Sequence, residues 1–260
     1  MQKNSEKTVF LDMDGTIIAK HPLDTALKET YEEIAKQTGH TAEFVGKKVN
    51  KIQREIGDNY IGWDWDKVVS DAAKSLGADV EVDLVKSMDR RLRPPYLKTY
   101  PHAKATIIKL HEEGYKLNIA THGFSCYQIP VLRSLGLLPY FSNVITLDRV
   151  KRTKTHAAFF RSYKGDKADA VMVGDSFHFD IAGPKSLGFK AIWAVFWMDN
   201  ITTHKLRMLD PAKRLKLVDG VSKHDDYING LEGLDKKIGV KPDAVIVGLD
   251  ELPTLIKKLV

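Results

Sequence analysis

The sequence predicts an α/β fold, a parallel sheet with helices on both faces, plus a small all-α unit inserted after the first strand. Through the second half of the 260-residue chain, apolar runs of strand length alternate with segments of helical period, as in consecutive β-α units. Near the N-terminus a single apolar run, Thr8-Val9-Phe10-Leu11, is followed from Ile17 to roughly Lys98 by helical periodicity alone, with no strand-like run. Pro94-Pro95 then breaks the chain before the alternation begins.

Four candidate helices lie in the insert. Asp24–Gln37 carries Leu27, Tyr31, Ile34 and Ala35 on one face, and Ala42–Ile56 carries Val45, Val49, Ile52 and Ile56. Lys67–Leu76 carries Val68, Val69, Ala72 and Leu76, and Val82–Leu92 carries Val85, Met88 and Leu92. Pro101–Glu113 reads as a helix with Pro at its start and Gly114 just past its end. Then come strand Lys116–Ala120, helix Tyr127–Leu135, strand Asn143–Thr146, helix Thr155–Tyr163, strand Ala170–Val173, helix Phe177–Leu187 and strand Lys190–Val195. The stretch Asp199 to Lys241 is polar and helical in part around Lys205–Leu217. A last strand, Ala244–Gly248, precedes a helix at Leu252–Leu259. Residues 1–17 and 99–260 are thus expected to form the α/β core, and 18–98 the helical unit.

The first strand runs into Asp12-Met13-Asp14-Gly15-Thr16. At average residue usage this five-residue pattern arises about once in 10⁵ positions. An acidic turn closing a strand would also use Asp and Gly. However, two carboxylates at the carboxyl edge of a parallel sheet stand where such folds keep their chemistry. One can attack while its neighbour handles protons. A second strand ends in Val173-Gly174-Asp175-Ser176, with Asp180 about one helical turn further on. Asp175 and Ser176 would serve as helix N-caps in any protein. Yet four Asp residues at two strand ends form a cluster of hard oxygen donors whose mutual repulsion calls for protons or a cation, and Mg²⁺ is the natural occupant.

With these two motifs the chain resembles the haloacid dehalogenase-like (HAD) superfamily, whose first motif is D-x-D-G-T and whose fourth is G-D-S-x-x-x-D. The resemblance extends to a Rossmann-like core. Its second motif, a strand ending in Thr or Ser, matches Leu117-Asn118-Ile119-Ala120-Thr121, and its third matches Lys154, six residues before Phe160. Alone, Thr121 would be an ordinary capping hydroxyl and Lys154 a solvated cation. A Lys in the first turn of a helix opposes the macrodipole by roughly a few tenths of a kcal/mol, which hints at another reason for it. His122 departs from the Asn that relatives often carry there, and its side-chain role is left open.

The resemblance implies that Asp12 is the nucleophile and Asp14 the general acid and base. Thr121 and Lys154 would bind the substrate phosphate. Mg²⁺ would be held by Asp12, the backbone carbonyl of Asp14, and Asp175, with Asp180 serving the metal through water or orienting Lys154. The helical insert resembles a C1-type cap. Asp14 favours a phosphatase over the dehalogenase branch, which lacks a second Asp there. The expected activity is Mg²⁺-dependent hydrolysis of a small-molecule phosphate monoester through an aspartyl-phosphate, in the manner of a phosphoglycolate phosphatase. The alternatives are a phosphotransferase or sugar phosphomutase on the same core, or a non-catalytic binding module.

Composition agrees. No apolar run approaches the ~20 residues of a membrane span, and the N-terminal residues lack a signal-peptide stretch, so a cytoplasmic protein is expected. Cys126 is the single cysteine, with no partner for an internal disulfide. The formal net charge is +6, but bases alternate with acids and no basic-aromatic stripe is present, which argues against nucleic acid as a partner. The dense basic stretches, Arg90-Arg91-Leu92-Arg93 and Lys205 to Lys216, read as solvated faces or aids to drawing in anions. Lys47, Lys48, Lys51 and Arg54 on one helix, and Trp63 and Trp65 in a loop, are weaker candidates for touching substrate. Monomer and homodimer both fit the sequence.

Overall fold

The computed structural model describes residues 7–57, 59–196, 200–211, 213, 214 and 240–260. At its centre is strand β1 (Thr8–Leu11), which pairs in parallel with β4 (Lys116–Ala120) on one side and β6 (Ala170–Gly174) on the other. β5 (Asn143–Ile145) extends the sheet beyond β4, while β7 (Lys190–Ala194) and β8 (Ala244–Ile246) extend it beyond β6, giving the order β5-β4-β1-β6-β7-β8. All five pairings are parallel. Every residue of β1 and β6 is buried, as continuous apolar runs require when both faces of a sheet are covered.

Period-two alternation divides the side chains between two cores. Val9 and Leu11 join Leu117, Ile119, Val171 and Val173 on one face, against Ile107 and Leu110 of α5 (Ala103–Glu112), Val131 of α6 (Ser125–Ser134) and Ile256 of α10 (Leu252–Leu259). Phe10 turns to the opposite face, edge-on to Phe160 at 5.4 Å and Phe189 at 5.7 Å. The fold is therefore the predicted α/β architecture.

Between β1 and β4 lie α1 (Pro22–Thr38), α2 (Ala42–Ile56), α3 (Trp65–Ser75) and α4 (Leu84–Asp89). Local sequence sets their ends: His21, Thr41, Asp64 and Asp83 each cap a helix through the side chain, and Gly39 ends α1 in the left-handed region at φ 72°. Contrary to the all-helical expectation, Ile18–Lys20 forms a strand, β2, paired antiparallel with β3 (Lys98–Thr99). This ribbon joins the outgoing and returning chains, and Tyr100 N–H donates to Ile17 O at 2.9 Å beside it. Three residues are too few to show a period, which is why the sequence did not reveal it.

Two expected helices also differ. Thr155–Tyr163 contains only a 3₁₀ turn, Ala157–Phe160, started by the His156 side chain, which accepts from Ala158 N–H. Phe177–Leu187 is split into a wide π-type turn, Phe177–Ala182, and a short α8 (Gly183–Ser186). Pro184 lacks the N–H that would bond the Asp180 carbonyl, so a regular helix cannot run through. α7 (Leu147–Val150) follows β5, and α9 (Asn200–Arg207) follows β7. The expected Lys205–Leu217 helix lies partly outside the described residues, as does much of 199–241. Among the described residues no helix is long and apolar enough to cross a membrane.

Candidate active site

β4, β1 and β6 are neighbours, so the residues that follow their carboxyl ends converge. Asp12 continues β1, its N–H donating to Val173 O at 2.8 Å, and its side chain is 8% exposed. Thr121, buried, follows β4, and its hydroxyl accepts from Gly123 N–H at 3.0 Å. Asp175 follows β6, where Trp193 Nε1 donates to its carbonyl at 2.8 Å. The π-type turn brings fully buried Asp180 back under the same edge, its Oδ2 accepting from Ser176 N–H at 3.0 Å.

Lys154 reaches this cluster from the loop after α7. Its Nζ donates to Asp12 Oδ1 at 2.5 Å and to Asp180 Oδ1 at 2.6 Å, and the side chain is 3% exposed. The helix-start reading of Lys154 is corrected: it precedes a 3₁₀ turn, and the two carboxylates rather than a macrodipole account for it. Burial works against the ammonium, but Asp12 and Asp180 outweigh it and hold Lys154 charged well above the usual lysine range. Burial pushes Asp12 up to about 7; Lys154 opposes that rise and Asp180 adds to it. Burial likewise raises Asp180.

Two glycines make the cluster compact. Gly15 adopts φ 80°, and a Cβ there would lie 2.1 Å from Asp175 Oδ2. A Cβ on Gly174 would lie 2.2 Å from the Asp180 carboxylate. The glycines of both motifs are thus spaces into which a carboxylate fits. Carboxylate oxygens of Asp12, Asp175 and Asp180 lie within 4.8 Å of one another. This all-oxygen donor set, facing a single ammonium, suits a hard divalent cation such as Mg²⁺. The Asp14 carboxylate is outside that group; it is exposed and accepts from Gln128 Nε2 at 2.8 Å.

All six sequence-predicted residues, Asp12, Asp14, Thr121, Lys154, Asp175 and Asp180, line one cavity of about 380 Å³. Trp63, Trp65, Tyr127, Leu23 and Leu27 form apolar wall, while Lys47, Lys48, Lys51 and Arg54 do not reach it. Lys47 and Lys51 instead pair with Glu43 and Glu55 on the exposed side of α2. In the basic stretch near 205–216, Arg207 pairs with Asp250 and Arg214 with Glu251. Exposed Cys126 is not among the lining residues.

Sequence reasoning missed His21 and Gln128 and left His122 unassigned. His122 is buried, accepts the Lys154 N–H on Nε2 at 3.1 Å, and packs edge-on to Phe179 at 4.2 Å and Trp63 at 5.1 Å. It holds the backbone that carries Lys154. No local signal announces such a contact, because its partner is 32 residues away.

Residues 6–188 match the haloacid dehalogenase-like hydrolases, and the chain belongs to that family. Within it the chain is a phosphatase, a phosphoric monoester hydrolase. The glyceraldehyde 3-phosphate phosphatase of Methanocaldococcus jannaschii is 31% identical over 192 residues, covering 70% of this chain and 82% of that protein. A phosphoglycolate phosphatase of Nitrosospira multiformis is 26% identical over 188 residues, 65% of this chain and 75% of that one. A solved HAD phosphatase from Thermococcus onnurineus superposes with a TM-score of 0.67 at 26% identity, covering 96% of this chain and 97% of that one.

Proposed function

We propose that the protein is a cytoplasmic, Mg²⁺-dependent phosphatase that hydrolyses a small-molecule phosphate monoester through an aspartyl-phosphate on Asp12. The observation that carries this reading is the triangle of Asp12, Lys154 and Asp180, with Asp14 held beside it by Gln128. Asp12 attacks phosphorus in line with the departing oxygen, and Lys154 offsets the charge gathered on Asp12 and the phosphoryl oxygens. Asp14, exposed to the cavity, donates a proton to the leaving alkoxide, then removes one from the water that cleaves the acyl phosphate. Thr121 and nearby backbone amides bind phosphoryl oxygens. Asp180 orients Lys154, with Ser176 N–H fixing its other oxygen.

Asp12 and Asp175, with the Asp14 carbonyl, would hold Mg²⁺. When bound, the ion neutralises negative charge that builds up during phosphoryl transfer. It would also ionise Asp12, offsetting the rise that burial imposes. Residues 18–98 serve as the cap over a core of 1–17 and 99–260, with the β2–β3 ribbon at the junction, and shield the site from bulk water.

The test is phosphate release from a panel of esters with and without Mg²⁺. Asp12→Asn is expected to lower kcat by at least about 10³-fold, as loss of a covalent nucleophile does. A panel with no turnover would defeat the phosphatase reading. Full activity in Asp12→Asn would remove the nucleophile from its role.

A further inference from the structure

Asp14 stands on the loop after β1 with an exposed side chain. Among the described residues its carboxylate has one hydrogen bond, from Gln128 Nε2 to Oδ2 at 2.8 Å, and none at Oδ1. Gln128 is 2% exposed and lies on α6, which is anchored in the core by buried Tyr127, Val131 and Leu132. A side chain on a packed helix thus reaches one on a loop, and a helix holds such a group more closely than a loop can.

A glutamine amide can face a carboxylate in one way only, because its NH₂ donates whereas its oxygen would repel the carboxylate oxygens. With Nε2 on Asp14, Oε1 is turned into the protein, where it is buried without a hydrogen-bond partner among the described residues. A buried acceptor that meets no donor lowers stability, and an apolar side chain of similar shape would lack that defect. The amide also occupies room that glycine leaves: a Cβ on Gly123 would lie 2.0 Å from Gln128 Nε2. A stranded oxygen and an adjoining glycine both work against the fold, and the side-chain hydrogen bond they secure is the one to Asp14.

We infer that Gln128, seated in the space left by Gly123, is the positioning residue for the proton transfers at Asp14. This rests on the reading of Asp14 as general acid and base. The amide at Oδ2 leaves Oδ1 as the oxygen that carries the proton, since an O–H on Oδ2 would point at another donor. As Asp12 bonds to phosphorus and the bond from phosphorus to the leaving oxygen breaks, the Oδ1 proton passes to that oxygen and its electron pair stays on Asp14. Oδ1 then takes a proton from the water whose oxygen attacks phosphorus, while the bond from phosphorus to Asp12 breaks. Without the amide, the carboxyl group turns freely on its loop and the alignment these transfers need is lost.

The experiment measures kcat/KM of the full chain with Mg²⁺ on two esters: glycerol 1-phosphate, whose alkoxide needs a proton to leave, and 4-nitrophenyl phosphate, whose phenolate leaves without one. Gln128→Met keeps the length of the side chain and removes the amide. It is expected to lower kcat/KM at least about tenfold on the glycerol ester and less than about threefold on the nitrophenyl ester, a share of the roughly 10²–10⁴-fold that general acid catalysis supplies. Its thermal midpoint is expected to equal or exceed that of the wild type, because the stranded oxygen is gone. Gly123→Ala leaves Gln128 in the chain but crowds its amide, and should move the ratio of the two rates in the same direction. Asp14→Asn should show a larger split, to which Gln128→Met adds little. A wild-type ratio in Gln128→Met, beside a split in Asp14→Asn, would overturn the inference and leave Asp14 in its role; if Gln128→Met does not fold, the ratio in Gly123→Ala decides in its place. A wild-type ratio in Asp14→Asn would instead remove the acid role of Asp14, and this inference with it.

Discussion

Lys154 is the residue on which the site's charge balance turns. It is buried with two carboxylates, and Lys154→Met would leave Asp12 and Asp180 facing each other without a cation. Removing one partner of a buried pair costs about 3–5 kcal/mol, so urea denaturation of the metal-free variant should show a loss of that order. If Asp180 and Asp12 take up protons instead, the loss will shrink at acid pH. His122 adds a pH dependence of opposite origin. Burial, with Lys154 and His178 nearby, holds its imidazole well below the ordinary 6.5. As pH falls below 6.5 the unfolded chain binds a proton there that the native chain refuses, so native stability declines in that direction. His122→Asn should flatten this acid-side decline in a thermal unfolding series from pH 7 to 5.

At the scale of elements, a few polar contacts fix how the pieces meet. Asp66, at the start of α3, accepts from Tyr127 Oη on α6 at 2.7 Å and from Leu84 N–H, the first residue of α4, at 2.7 Å. One carboxylate thereby ties two helices of the insert to a helix of the sheet layer. Asp66→Ala strands both donors and is expected to cost about 1–3 kcal/mol, read as a lowered urea midpoint at constant m-value. Arg214 performs the same task near the last strand. It is 2% exposed, forms a two-pronged pair with Glu251 at 2.8 Å, and donates to Val245 O of β8. A guanidinium so placed is structural, although a dense run of Lys and Arg in sequence invites an electrostatic role in substrate capture.

For the whole molecule, ligand linkage is the measurable consequence of a site assembled from three strands and two loops. A ligand that binds only the folded chain at a hundred times its Kd stabilises by about 2.7 kcal/mol. Mg²⁺ with orthovanadate should therefore raise the thermal midpoint of the wild-type protein by several degrees. Asp12→Asn and Asp175→Asn should respond much less. A rise of equal size in both variants would place the metal elsewhere.

The parallel sheet, the four helices of the insert and the acids at two strand ends were legible in the chain itself, because each rests on local periodicity or a short motif. β1 and β6 are continuous apolar runs that nothing but a covered sheet can accommodate, and each ends directly in its acids. The ribbon β2–β3 and the broken helix after Ser176 were not legible. The first is too short to carry a period, and the second depends on a single Pro184 within an otherwise helical pattern. What only the tertiary structure decided is how these pieces share partners: Lys154 between Asp12 and Asp180, His122 behind Lys154, and Gln128 on Asp14 across 114 residues of chain. Short-range rules fix where a strand or helix forms, whereas a hydrogen bond between distant residues exists only after the sheet has brought its strands into register. The sequence therefore placed the acids at the sheet edge, and the tertiary fold decided which side chains surround and orient them.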